Sequence, residues 1–161
     1  MFDPLFDALE ALHMSASIRE SEWLFPTIET VHVLALTMVV GSIAMVDLRL
    51  LGVRYRNRSV ADLAIETLPW TWTSFAIAVM SGALMFTAKA MTYGHNLPFQ
   101  IKMIVLVLAG LNMAFFHTST YRSVHEWGLR PVPPRAARIA GALSLAFWII
   151  VVALGRWVGF V

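Results

Sequence analysis

The stretch WLFPTIETVHVLALTMVVGSIAMVDLRLL, Trp23 to Leu51, limits the chain to very few folds. As a helix rising ~1.5 Å per residue it runs ~43 Å, more than the ~30 Å hydrocarbon core of a bilayer. Similar apolar runs follow at about 68–92, 99–118 and 139–158. With 58% hydrophobic and 14% charged residues in a chain of 161, these runs take up most of the sequence. A soluble domain of this length has no core large enough for that much apolar surface. The expected fold class is all-α: an integral membrane four-helix up-down bundle over residues 17–161, preceded by an N-terminal amphipathic surface helix over 1–16.

Phe2, Leu5, Phe6, Leu9 and Leu12 recur at helical spacing opposite Asp3, Asp7 and Glu10, which predicts that surface helix. Ser17 and Glu20 have the spacing of a capping box, so a second helix is expected to start there, with Pro26 bending it or opening the span. Ser59 with Asp62 starts the next helix, and in YGHNLP Gly94 closes one helix before Pro98 begins another. The acidic N-terminus lacks the basic residues of a signal peptide, so no cleaved targeting segment is expected. There are no cysteines, which excludes disulfides, thiolate metal sites and cysteine-ligated iron–sulfur clusters.

The net charge is only +2, and the arginines fall in loops, so topology rather than nucleic-acid binding accounts for them. Arg54, Arg56 and Arg58 lie in one connection and Arg122, Arg130, Arg135 and Arg138 in another. The N-terminus is acidic and the YGHNLP turn has no basic residue. The positive-inside rule then puts both termini outside, which in a bacterial inner membrane is the periplasm. Trp23, Trp70, Trp72, Trp127 and Trp157 fall near helix ends, as an aromatic belt requires, while Trp148 reads as internal.

At 100° per residue, one stripe of the first span holds Phe25, Glu29, His32, Leu36, Val39, Ile43, Asp47 and Leu50. The second groups Thr71, Phe75, Ala78, Gly82, Met85, Phe86 and Lys89. The third groups Lys102, Ala109, Met113, Phe116 and His117, with Gly110 and Asn112 at its edges, and the fourth Gly141, Ser144, Trp148 and Gly155. Gly82 and Gly110 lie near mid-depth, where a missing side chain leaves space for something bulky.

His32 is the residue on which function turns. It lies ~14 Å below the outer boundary, where an ionisable group is costly and by default marks a site or a buried polar contact. With Glu29 one turn away, it has the chemistry of a haem or metal ligand. The alternative is an interhelical hydrogen bond to Asn112, Ser81 or Lys102. Met85, at similar depth, is a candidate second ligand, although dispersed methionines are also ordinary packing material. His117 falls ~28 Å down, so His32 and His117 would have to serve separate groups rather than one haem. Lys102 and Lys89 either snorkel outward or, for Lys102, point inward to bind a propionate. Asp47 and Arg49 suggest a helix-end ion pair or a headgroup contact. His13, His95 and His125 read as surface or helix-end residues. No P-loop, dinucleotide fingerprint or nucleophile triad is present.

The segments IRESEWLFPTIETVHVLALTMVVGSIAMVDLRLLG and YGHNLPFQIKMIVLVLAGLNMAFFH, within Ile18 to His117, resemble an uncharacterised bacterial family of small four-span membrane proteins, a domain of unknown function. More distantly, the order of His32, Arg49 with Leu50, Pro69, Gly82 and Lys102 is similar to the membrane protoporphyrinogen oxidase and copper-resistance D families. The surface helix and Glu29 are departures from those two. The resemblance implies a b-type haem or porphyrin held by His32, with Lys102 near an acidic group.

The expected function is therefore a membrane-embedded haem b protein with a redox or electron-transfer role. His32 is the axial ligand, Met85 or His117 a second donor, Gly82 provides room, and Glu29 and Lys102 line the site. Two alternatives stay open: copper or small-molecule handling through His32 and methionine, and a cofactor-free accessory subunit of a membrane complex. An oxidoreductase activity is not decided by these residues. The expected partners are the lipid bilayer and a redox protein or larger membrane complex, with homo-oligomers allowed.

Overall fold

The computed structural model describes residues 3–160, and among them there are helices and turns but no strand. Two short helices, α1 (Asp3–Glu10) and α2 (His13–Glu20), precede α3 (Leu24–Leu50). Then come α4 (Val60–Ala88), the short α5 (Ala90–Gly94) and α6 (Leu97–Thr118). A 3-10 turn (Thr120–Ser123) leads through α7 (Val124–Trp127) to α8 (Arg135–Trp157). The helices α3, α4 and α8, and the stretch that starts with α6, are long and apolar enough to cross a membrane. The fold is the expected all-α up-down bundle with an N-terminal helix.

Side chains and prolines set the helix starts. The Ser21 hydroxyl accepts from the backbone N–H of Trp23 (3.4 Å) and Leu24 (3.2 Å). Pro26 sits in the first turn of α3, where its missing N–H costs nothing. Ser59 accepts from Ala61 N–H at 3.2 Å, and Asn96 Oδ1 accepts from Phe99 N–H at 3.0 Å with Pro98 beside it. Within the spans, Thr27, Thr30, Thr37, Thr67 and Thr118 turn their hydroxyls onto carbonyls four residues back, so apolar surroundings meet no free donor.

The four spans do not close into a ring. α3 packs on both α4 and α8, and α8 packs on α6, whereas no Cα of α4 comes within 8 Å of one in α6. The neighbour order is thus α4–α3–α8–α6. Small buried residues line the α3–α4 seam, Ala35 and Ser42 against Ser74, Ala78 and Ser81, and let the backbones approach. Thr71 Oγ1 donates to Ser42 Oγ there at 2.7 Å. Asn112 Nδ2 ties α6 to the Ala140 carbonyl of α8 at 3.0 Å. A central core of Val39, Val105, Trp148 and Val151 fills mid-depth, and a second one at the arginine-rich end gathers Leu50, Val60, Phe116, Val124, Trp127 and Ala137.

Several local expectations are corrected. Ser17 is inside α2, its hydroxyl donating to His13 O at 2.9 Å, so it caps nothing; the helix already starts at His13. The helix of the second span starts at Val60, directly after the expected Ser59 cap, but it breaks at Lys89 (φ −141°, ψ 48°) rather than running to Thr92. Residues far away in sequence hold that break: Arg19 Nη1 donates to Ala88 O at 3.4 Å, and Glu10 Oε1 accepts from Met91 N–H at 2.8 Å. Trp127 is not in the belt but 3% exposed, its Nε1 donating toward Thr120 O and Ser123 Oγ at 3.3 Å. Trp23, Trp70, Trp72 and Trp157 are exposed, and Trp148 is buried as expected.

The amphipathic α1 uses its apolar face against the protein. Phe6 meets the Phe86 ring edge-on at 5.9 Å and His95 at 6.1 Å, and lies over Gly94, where any Cβ would collide with its ring. Asp3 pairs with His95 at 3.1 Å. Leu5 and Leu12 stay exposed, and Phe2 lies outside the described residues. Phe6→Ala should release α1 at a cost of roughly 1–2 kcal/mol, less than the ~3–5 of a fully buried phenylalanine. Amide exchange should then rise in residues 3–12 and stay unchanged in α3; unchanged protection of α1 would mean that Phe6 does not dock it.

Candidate functional site around His32

His32 lies on α3 in the half of the bundle that carries the chain termini, facing α4 across the small-residue seam. Its Nδ1 is 2.9 Å from the Ala78 carbonyl oxygen and 3.0 Å from Ser81 Oγ. A carbonyl only accepts, so Nδ1 carries the proton. Ser81 gives its own proton to Ile77 O at 2.7 Å, which leaves its oxygen free to share in accepting from Nδ1. The interhelical hydrogen bond foreseen for this histidine is therefore made to Ser81 and to the backbone beside it, not to Asn112.

That arrangement fixes the tautomer and leaves the Nε2 lone pair without a partner among the described residues. Nε2 is not completely enclosed by its neighbours. The ring sits in the notch over Gly82, where a Cβ would stand 3.0 Å from Cε1. The space left at Gly82 is thus taken by the imidazole itself. Gly110 has nothing within 4 Å of its Cβ position and is exposed, so its space opens away from the packed interior.

The remaining candidates fall into two groups. Lys102 of α6 is half-buried and close enough to act electrostatically on the His32 ring. Its Nζ lies 5.2 Å from the Phe99 ring centre, its Cδ lies 4.0 Å from the Cβ position of Gly155, and it has no carboxylate partner among the described residues. Glu29, one turn before His32, is exposed and acts on both His32 and Tyr93. Burial first, and the Glu29 charge second, hold the Tyr93 phenol above its ordinary range. Met85 is half-buried one turn past Gly82. At the level of Lys102, rings bridge α4 and α6: Phe86 stacks on Phe99 at 5.5 Å, and Phe99 on Tyr93 at 5.7 Å.

His117 belongs elsewhere. It is exposed, its Nδ1 is 3.0 Å from Met113 O, and its ring leans on Tyr121 at 5.1 Å. Among the described residues no group of three or more His, Asp or Glu is placed to hold a metal ion.

Residues 23–161 match the family model DUF6644, a family of unknown function. The chain belongs to this family. No curated protein and no solved structure matches it. The DUF6644 match takes in every long helix and the whole His32 neighbourhood, and leaves α1 and α2 outside.

A second polar centre within the DUF6644 region was not foreseen in this form. Arg49, 0% exposed, donates from Nε to Arg58 O (2.7 Å) and from Nη2 to Gly128 O (2.9 Å) and Arg130 O (3.1 Å). It makes no ion pair with Asp47, one of the two contacts expected for it. Asp47 is buried on the other side of α3, near the Ser144 side chain, with Oδ2 unpartnered. Residues two apart on a helix do not share a face, so the ion pair was geometrically excluded. This centre fastens loops, and Arg49 Nη1 and Asp47 Oδ2 are buried without a hydrogen-bond partner.

Proposed function

We propose that the chain is a membrane-embedded b-type haem protein with a redox or electron-transfer role, and that His32 Nε2 is the axial ligand. One observation carries this reading: Nδ1–H is committed to the Ala78 carbonyl while Nε2 keeps an unpartnered lone pair. A histidine that binds metal through one nitrogen ordinarily donates from the other to a carbonyl or carboxylate, which fixes the ring and raises its basicity. The donors present suit the group: Gly82 seats the imidazole, and Lys102 would offer an ammonium to a propionate. Met85 is the second donor at hand, since His117 faces away. The bound group supplies reversible one-electron exchange. The distant similarity to the protoporphyrinogen oxidase and copper-resistance D families belongs to the same proposal, as does a bacterial inner membrane with both termini periplasmic.

Purification in detergent from haem-replete cells should give a Soret band that shifts on dithionite reduction. His32→Ala should abolish it, and His117→Ala should leave it intact. A colourless, iron-free preparation would overturn the proposal. Stoichiometric copper without haem would reassign His32, with Met85, to copper handling.

A further inference from the structure

We propose that the groove between α3 and α4 at the arginine-rich end binds one anionic phospholipid from the adjoining leaflet. This site is separate from His32 and does not depend on its reading. The groove encloses about 800 Å³. Its walls are Thr37, Met38, Gly41 and Met45 on α3 and Thr67 and Trp70 on α4, with Tyr55 and Arg58 at the mouth. Gly41 has nothing within 4 Å of its Cβ position, so the floor is open there. Along α3 the lining runs from Thr37 to Met45, ~12 Å at ~1.5 Å per residue, most of the ~15 Å half-thickness of the hydrocarbon core. The groove therefore follows much of the length of a single acyl chain.

Its chemistry is split along that depth. The lining hydroxyls are turned inward: Thr37 donates to Val33 O at 2.9 Å, Ser42 to Val39 O at 2.9 Å and Thr67 to Leu63 O at 2.9 Å. The walls ask no polar partner of an occupant, which suits a hydrocarbon tail. At the mouth Arg58 is paired with Glu66, but Arg54 and Arg56 are exposed and have no carboxylate partner among the described residues. Arg54 rests 5.7 Å from the Tyr55 ring centre. An apolar slot whose lining Tyr55 is flanked in sequence by two uncompensated guanidinium groups fits a tail joined to a phosphate.

The mouth is also preformed. Tyr55 holds a left-handed backbone (φ 56°), and the Arg58 carbonyl is fixed by buried Arg49. A second copy of this chain is the poorer occupant, because a two-fold contact here would set each copy's arginines against the other's.

The test is native mass spectrometry of the full chain released from micelles containing equal phosphatidylglycerol and phosphatidylethanolamine. One retained phospholipid is expected, with phosphatidylglycerol preferred. Arg54→Gln/Arg56→Gln, on an exposed loop, should lower that preference about fivefold per arginine removed. Gly41→Phe, placed in open space, should cut retention at least tenfold while helicity and melting stay at the parent values. Equal retention of both lipids, unchanged retention in Gly41→Phe, or a dimer that added lipid does not displace would each overturn the proposal.

Discussion

Arg49→Ala should destabilise the protein by about 3–5 kcal/mol, the range expected when a buried charged group with several hydrogen bonds is removed. The guanidinium joins three backbone carbonyls from two connections that are remote in sequence. Arg58 belongs to the link between α3 and α4, and Gly128 and Arg130 to the link between α7 and α8. The Gly128 carbonyl also accepts from Val60 N–H at 3.1 Å, so the start of α4 hangs on the same group. Alanine takes the donor from the Arg58 and Arg130 carbonyls, leaves Gly128 O with Val60 N–H alone, and empties the space of a fully buried side chain. Lysine keeps the charge but lacks the planar fork that reaches separate acceptors, so Arg49→Lys should recover less than half of the loss. Thermal unfolding in detergent, followed by circular dichroism, measures both; a variant within ~1 kcal/mol of the parent would show that the loops are held by other means.

Arg49 also marks the limit of what sequence reveals. An arginine near a helix end, before a basic loop, looks like a topology signal, and carbonyl acceptors leave no residue-type trace. A better signal was within reach: Asp47 and Arg49 are two apart and cannot pair, so the arginine had to find partners elsewhere. The spans themselves were legible because apolar run length and cap residues are local properties. His32 stood out because depth in an apolar run can be counted. Gly82 was rightly noticed, but a missing Cβ does not say what faces it, and the answer is His32.

His117 was grouped with the inward stripe of α6 by its helical spacing from Met113. That stripe is narrow, however, since α8 is the span whose backbone comes close to that of α6 among the described residues, and the buried residues of α6 are Val105, Ala109 and Phe116. A step of 100° past Phe116 already leaves the interface. The neighbour order α4–α3–α8–α6 was invisible for a related reason: four helices of similar hydropathy carry no label saying which pairs touch. The break at Lys89 is held by Glu10 and Arg19, and no local pattern announces partners that far off.

The joint between α3 and α8 connects the α3–α4 pair to the α6–α8 pair, and Gly141 is where it closes. A Cβ at position 141 would stand 3.0 Å from Leu50 Cβ, 3.1 Å from Asp47 O and 3.6 Å from Asp47 Cα. Two of these atoms are backbone, so no rotamer change relieves the contact. Gly141→Ala should cost about 1–2 kcal/mol as the helices part by a few tenths of an ångström, and Gly141→Leu about 3 kcal/mol, at the upper end for overpacked sites. Gly110→Leu is the matched control: nothing lies within 4 Å of its Cβ position, and replacing a mid-helix glycine there should be neutral or mildly stabilising. If unfolding measurements rank Gly110→Leu as costly as Gly141→Leu, the loss reflects leucine in any of these helices and not a closed joint. If Gly141→Leu alone is destabilised, the seam between α3 and α8 is what holds the two helix pairs in register.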